Sequence, residues 1–163
     1  MGKILTLPEN FKMVQLAQPQ TTNGGVTSDY VSLKNVLMAW ILVELTQAVG
    51  HATLISPRQA SAVAGTGVKV LSNNASGIWA NEDIATTDTL VKKTDAKNYT
   101  VTNDIKNKTI VFGIDPASLD LANGFDVINL LVADSSQVTN LISVTALLDM
   151  RYKQATPPAA ITD

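Results

Sequence analysis

From Ile142 to Tyr152 nearly every second residue is apolar. Ile142, Val144, Ala146, Leu148, Met150 and Tyr152 fall on one face, and Ser143, Thr145, Asp149 and Arg151 fall on the other. A period of two is the side-chain period of a β-strand, whereas a helix would spread the same residues around its circumference. So long an alternation demands a sheet with one packed side and one largely wet side. A lone strand cannot be stable, so the rest of the chain has to supply its partners.

Other stretches read the same way. Thr109 to Asp115 places Ile110, Phe112 and Ile114 on one face, and Val127 to Val132 is apolar on both faces apart from Asn129, as in a central strand. Met38 to Gln47 has residues that suit either a helix or a strand. The unbroken face of Ala39, Ile41, Val43 and Leu45 makes it a central strand, with Trp40 assigned to the core. Phe11 to Leu16 and Asp29 to Leu33 are shorter strands, separated by a polar loop from Gln18 to Thr27 that contains Gly24 and Gly25. Ile78 to Ala80, Thr89 to Lys93 and Tyr99 to Asn103 are further short segments at turn-separated intervals.

Two places read as helix starts. Ser56-Pro57-Arg58-Gln59 has the form of a capping box, with proline at the first helical position and Gly65 as a stop, so a short helix is expected there. Asp115-Pro116 predicts a single turn before Gly124. Roughly eight strands and one or two short helices make an all-β chain, a two-sheet antiparallel β-sandwich or jelly roll. Residues 1–155 form its one domain, and 156–163, with Pro157 and Pro158, form an extended arm, free or laid on a neighbour.

Composition narrows the function. Only 16% of residues are charged while 45% are hydrophobic, a low charge for a soluble surface, which points to surface buried against partners. The net charge is -2 and the lysines are scattered, so no basic stripe for nucleic acid is present. The longest apolar run, Val36 to Val43, falls far short of a membrane span, and folding in a cytosol is the default expectation. The absence of cysteine excludes disulfides, thiolate metal sites and a cysteine nucleophile. Asn74, Asn98 and Asn107 each begin a glycosylation triplet, which matters only in a eukaryotic secretory pathway.

A search for chemistry finds little. His51 is the sole histidine and reads as a loop residue, so neither a histidine-rich metal site nor a Ser-His-Asp arrangement has support. Gly65-Thr66-Gly67-Val68-Lys69 lacks the spacing of a phosphate loop and reads as a turn. Glu82 with Asp83, and Asp115 with Asp120 and Asp126, do not follow calcium-loop spacing. No catalytic residue, cofactor or metal is expected, and the chain reads as a non-enzyme. Trp79, between Asn74–Gly77 and Asn81–Asp83, is equally suited to burial under a loop and to an interface.

Five stretches resemble virion proteins of tailed phages and prophages whose genes neighbour the major capsid protein. They are Asp29-Tyr30-Val31-Ser32-Leu33-Lys34-Asn35, Ala64-Gly65-Thr66-Gly67-Val68-Lys69 and Ile78-Trp79-Ala80-Asn81-Glu82-Asp83, then Val111-Phe112-Gly113-Ile114-Asp115-Pro116 and Arg151-Tyr152-Lys153-Gln154-Ala155-Thr156-Pro157-Pro158. The resemblance implies a capsid decoration or cement protein, a homo-oligomeric (dimer or trimer) β-sandwich on the capsid surface, made in the host cytoplasm and bridging capsomers. Its partner would be the major capsid protein, with neither nucleic acid nor membrane involved. Candidate contacts are the Met1 to Asn10 segment, Trp79, Asn81 and Glu82, and the arm residues Pro157, Pro158 and Ile161. A tail or neck adaptor is the alternative, and a glycan-binding module using Trp79 is a third reading.

Overall fold

The computed structural model describes residues 6–75, 77–152 and 159–161, and in it the alternation resolves into two antiparallel sheets. A short helix α1 (Leu7–Asn10) leads into β1 (Phe11–Thr21), followed by β2 (Val26–Thr27), β3 (Val31–Ser32), β4 (Val36–Thr46) and β5 (Leu54–Ala60). Then come β6 (Lys69–Val70), β7 (Gly77–Asn81), β8 (Val91–Lys93), β9 (Tyr99–Thr100) and β10 (Asn107–Ile114). Two 3-10 turns, Pro116–Ser118 and Leu121–Asn123, precede β11 (Val127–Val132) and β12 (Leu141–Met150). The first sheet runs β1-β12-β4-β10-β7-β8. The second runs β2-β11-β5-β6, with β3 also on β11 and β9 also on β5. This is the all-β sandwich expected from the sequence.

The alternating residues face one another across the gap. Ala39, Ile41, Val43 and Leu45 of β4, Ile110, Phe112 and Ile114 of β10, and Ile142, Val144, Ala146 and Leu148 of β12 are buried from one side. Val31, Ile55, Ile128, Leu130 and Val132 close the core from the other. At ~1.5–3 kcal/mol for each fully buried large aliphatic or aromatic side chain, this layer is the main favourable term in folding. The Asp115-Pro116 turn forms as expected, the Asp115 carboxylate accepting from the Ala117 amide at 2.9 Å.

Three expectations are overturned. Ser56-Pro57-Arg58-Gln59 is not a helix start but the middle of β5, between β11 and the short strands β6 and β9. The side chain of Gln59 is buried and cannot reach back to cap anything. It donates to the Val70 carbonyl (2.9 Å) and Ser72 Oγ (2.8 Å) and accepts from the Asp120 amide (2.9 Å). Pro57 fits a strand because of its neighbours. Its register partner Leu130 turns both main-chain groups away, to Ser28 N (2.9 Å) and Ser28 Oγ (2.8 Å), so the pair shares no hydrogen bonds. The Pro57 nitrogen therefore faces the other side of β5, where β9 pairs with Leu54 and Ile55 and β6 with Arg58 and Gln59, leaving Pro57 opposite neither. Second, the polar stretch Gln18 to Thr27 is a loop only in part, since β1 continues to Thr21 and β2 begins at Val26. Third, Trp40 is not in the core: the neighbouring Ala39 and Ile41 point inward, and Trp40 lies half-buried on the outside of the first sheet.

Of the arm, Pro157 and Pro158 lie outside the described residues. Ala160 is buried within the same chain and its carbonyl accepts from the Ser32 amide at 2.7 Å, while Ile161 is exposed.

Candidate interaction surface

The alternation that fills the core also decides what the first sheet shows to solvent. Two adjacent rows cross its outer face in register. One reads Met13, Leu147, Trp40, Gly113 and Gly77, and the next reads Gln15, Thr145, Leu42, Val111, Trp79 and Lys92. No charged side chain occurs in either row before Lys92. The Phe11 ring stands edge-on to Trp40, with centroids 5.9 Å apart and planes at 64°. The Met38 side chain lies over Gly113, where a Cβ would come within 2.9 Å of the Met38 Cε. Met13 is 57% exposed and Trp79 41% exposed. An outward sheet face is ordinarily polar, and here, before Lys92, only Gln15 and Thr145 interrupt the apolar residues of the two rows.

The loop after β7 extends the field. Asn81 is buried, donating to the Thr87 carbonyl (2.6 Å) and accepting from the Asp83 amide (2.9 Å), which folds residues 82–90 against the strand. The Ile84 amide bonds the Asn107 carbonyl (3.1 Å), and Lys106 pairs with Asp83 at 2.7 Å, holding the Asp83 carboxyl below its usual range. Ile84 and Leu90 are thereby held exposed beside Asn81 and Thr109, whereas Val91, in register with the buried Ala80, lies on the opposite face from Trp79. A shallow depression of about 340 Å³ lies along the same face, lined by Glu44, Thr109, Leu141, Ser143 and Ile84 among others. Its polar contact is a hydrogen bond from Ser143 Oγ to Glu44 at 3.2 Å.

Glu82 turns the other way. Its carboxylate accepts from the Tyr99 hydroxyl (2.5 Å) and Thr102 Oγ1 (3.2 Å) and lies 3.1 Å from the ammonium of Lys108, whose side chain has no exposed surface. Lys108 also donates to the Thr102 carbonyl (2.6 Å) and Oγ1 (2.8 Å). Burial pushes the Glu82 carboxyl up, but the Tyr99, Lys108 and Thr102 donors outweigh it, and its pKa lies below the usual value. Burial, followed by the nearby carboxylate, raises the Tyr99 phenol. The cluster is fully paired and knits three segments together, so it has no free group to offer a reaction.

Of the candidate contacts named from the sequence, Trp79 is therefore available at the surface, whereas Asn81 and Glu82 spend their polar atoms inside the chain. Sequence reading missed the apolar outer rows because Met38, Trp40 and Leu42 were counted toward a two-sided central strand. The signal was there in Met13 and Leu147, apolar residues at positions whose phase is outward. His51 sits in a loop with Nδ1 3.1 Å from Thr53 Oγ1. Among the described residues no group of three or more His, Asp or Glu side chains stands close enough to hold a metal, and no helix is long and apolar enough to cross a membrane.

No family model matches the chain, and no curated protein matches it. Among solved structures it is similar to the SPBc2 prophage-derived protein YomS, at 12% identity over 85% of this chain and 92% of that one, with a TM-score of 0.48. A family 11 carbohydrate-binding module of the cellulosomal cellulase Lic26A-Cel5E of Clostridium thermocellum matches at 12% identity over 95% and 94% of the two chains, with a TM-score of 0.32.

Proposed function

We propose that the chain is a non-catalytic structural component of a tailed-phage particle, which binds the outside of the capsid and stabilises it by bridging capsomers. The observation that carries this reading is the outer face of the first sheet, two uncharged rows running from Met13 to Trp79. A face of this composition serves adhesion, and among the described residues nothing beside it assembles a nucleophile, a base and a site for a reacting atom. The five stretches that resemble virion proteins supply the setting. Binding to the mature shell alone would stabilise it by mass action, and many copies per shell would multiply the effect.

The test is co-sedimentation of the purified protein with expanded, tail-free capsids, counting bound copies. The expected result is saturable binding at hundreds of copies per shell, weakened by Trp79→Ala. A stoichiometry matching a tail ring would instead place the protein at the tail or neck, and no association with any particle component would overturn the reading.

A further inference from the structure

We infer that the outer face of the first sheet is a two-fold interface with a second copy of this chain, so that the dimer is the unit that attaches to a partner. The inference rests on the reading of this face as adhesive and assigns it to the contact between copies, which leaves capsid attachment to the rest of the dimer's surface and makes the loss of shell binding in Trp79→Ala a loss of dimer avidity. Three features select a second copy.

The first is size. The six strands, 11, 10, 11, 8, 5 and 3 residues long from β1 to β8 across the sheet, give at ~3.3 Å per residue and ~4.8 Å between strands a face on the order of 700 Å², close to the ~800 Å² that each partner buries in a standard interface.

The second is charge. A two-fold contact lays a surface on its own image, so a charge near the axis meets its like. The centre of the sheet lies between β4 and β10, at the Leu42 and Val111 pair, and both central rows are uncharged from Met13 and Gln15 as far as Gly77 and Trp79. The charged outward residues stand away from it: Glu44 two positions along β4, Asp149 near the end of β12, and Lys92 on the edge strand β8. A face built for a basic or acidic partner would carry its charge at the centre.

The third is that both edges of this sheet are guarded, which turns copies away from edge-to-edge pairing here and leaves the sheet its face for contact. β1 carries Pro19 and register breaks between Gln15 and Ala17 and between Ala17 and Gln20. β8 is three residues long and ends in Lys92 and Lys93. Proline, bulges, shortness and lysine are the devices that stop strands from adding edge to edge.

The experiment is sedimentation equilibrium of the full chain over a dilution series, with Met13→Lys and Leu147→Lys beside the unaltered protein and circular dichroism to establish that each is folded. The expected result is a dimer whose dissociation constant rises about 30-fold or more in either variant. Because the chain has no cysteine, Val111→Cys provides a second reading independent of those variants. It should form a disulfide-linked dimer under mild oxidation, whereas Lys97→Cys should not. A monomer throughout, a trimer, or a dimer that neither variant weakens and Val111→Cys does not trap would overturn the inference. Capsid co-sedimentation on the same samples separates the two readings: a monomer that still binds shells defeats the dimer alone, and a dimer that binds none defeats the capsid role alone.

Discussion

Lys108 holds its ammonium 3.1 Å from the Glu82 carboxylate at a position where the lysine side chain has no exposed surface. The Thr102 carbonyl and hydroxyl take its other protons, so the charge is paired and hydrogen-bonded. Removing one partner leaves the other charge stranded. Glu82→Ala should therefore destabilise the protein by about 3 kcal/mol, while Lys108→Met, which fills the space and leaves Glu82 near water, should cost less. The pH dependence follows from the depressed Glu82 pKa. The unfolded chain takes up this proton at higher pH than the folded one. The contribution is whole above the ordinary glutamate value and is lost as the pH falls through the lower, folded value. Urea midpoints from pH 7 to pH 3 should show the gap between the unaltered protein and Glu82→Gln narrowing below about pH 4. A constant gap would mean that Glu82 does not couple folding to protonation.

Pro57 occupies a strand without removing a needed hydrogen bond, because its nitrogen points into the break between β9 and β6. Pro57→Ala should then change stability by less than about 1 kcal/mol, the proline's lowering of unfolded-state entropy being the main loss. Arg58→Pro should be far worse, about 3 kcal/mol or more, since Arg58 is paired on both sides, with Asn129 and with Val70. Equal effects in a thermal melt would show that β5 does not have this register.

The contrast between these two residues explains what could be read in advance. Long alternations such as Ile142 to Met150 and Ala39 to Leu45 carry their own evidence, because only a strand puts those side chains on one side. Ser56-Pro57-Arg58-Gln59 carries a local signal that is genuine in isolation, and it loses to tertiary packing: burying Ile55 and Gln59 and pairing with β11 outweigh one helix cap. The two-residue strands β2 and β6 leave no periodicity to detect and exist because β11 and β5 offer them edges, whereas β3 lies within the Asp29 to Leu33 segment that reads as a strand. Trp79 was nameable from its flanking turn residues. Its neighbours Leu42 and Val111 come from other strands, and their adjacency is a property of strand order, which no local pattern contains.

Asn129 lies on the outward phase of β11 yet is completely buried, and neither polar atom of its side chain has a hydrogen-bond partner among the described residues. Desolvating an amide without compensation costs roughly 1–3 kcal/mol, so an apolar residue of similar size should be better tolerated than the natural one. Asn129→Val is expected to raise stability by about 1 kcal/mol, helped by the strand preference of a β-branched side chain. Chemical denaturation decides the point, and a loss of more than about 1 kcal/mol would mean that the amide is bonded in solution.

Gly50 is required by a close approach of two backbones. A Cβ there would come within 2.5 Å of the Asn103 carbonyl oxygen, and that atom cannot swing aside as a side chain can. The approach brings the end of β4 against the segment after β9, beside the Thr53 carbonyl that accepts from the Val101 amide at 3.1 Å. Gly50→Ala must therefore separate these segments and should cost about 2 kcal/mol. Gly113→Ala also meets an atom too near, at 2.9 Å, but that atom is the Met38 Cε at the end of a flexible chain, and the loss should stay under about 1 kcal/mol because a new rotamer relieves it. Thermal unfolding of the two variants side by side tests the ordering, and a greater loss at Gly113 would mean that Met38 is locked over the sheet.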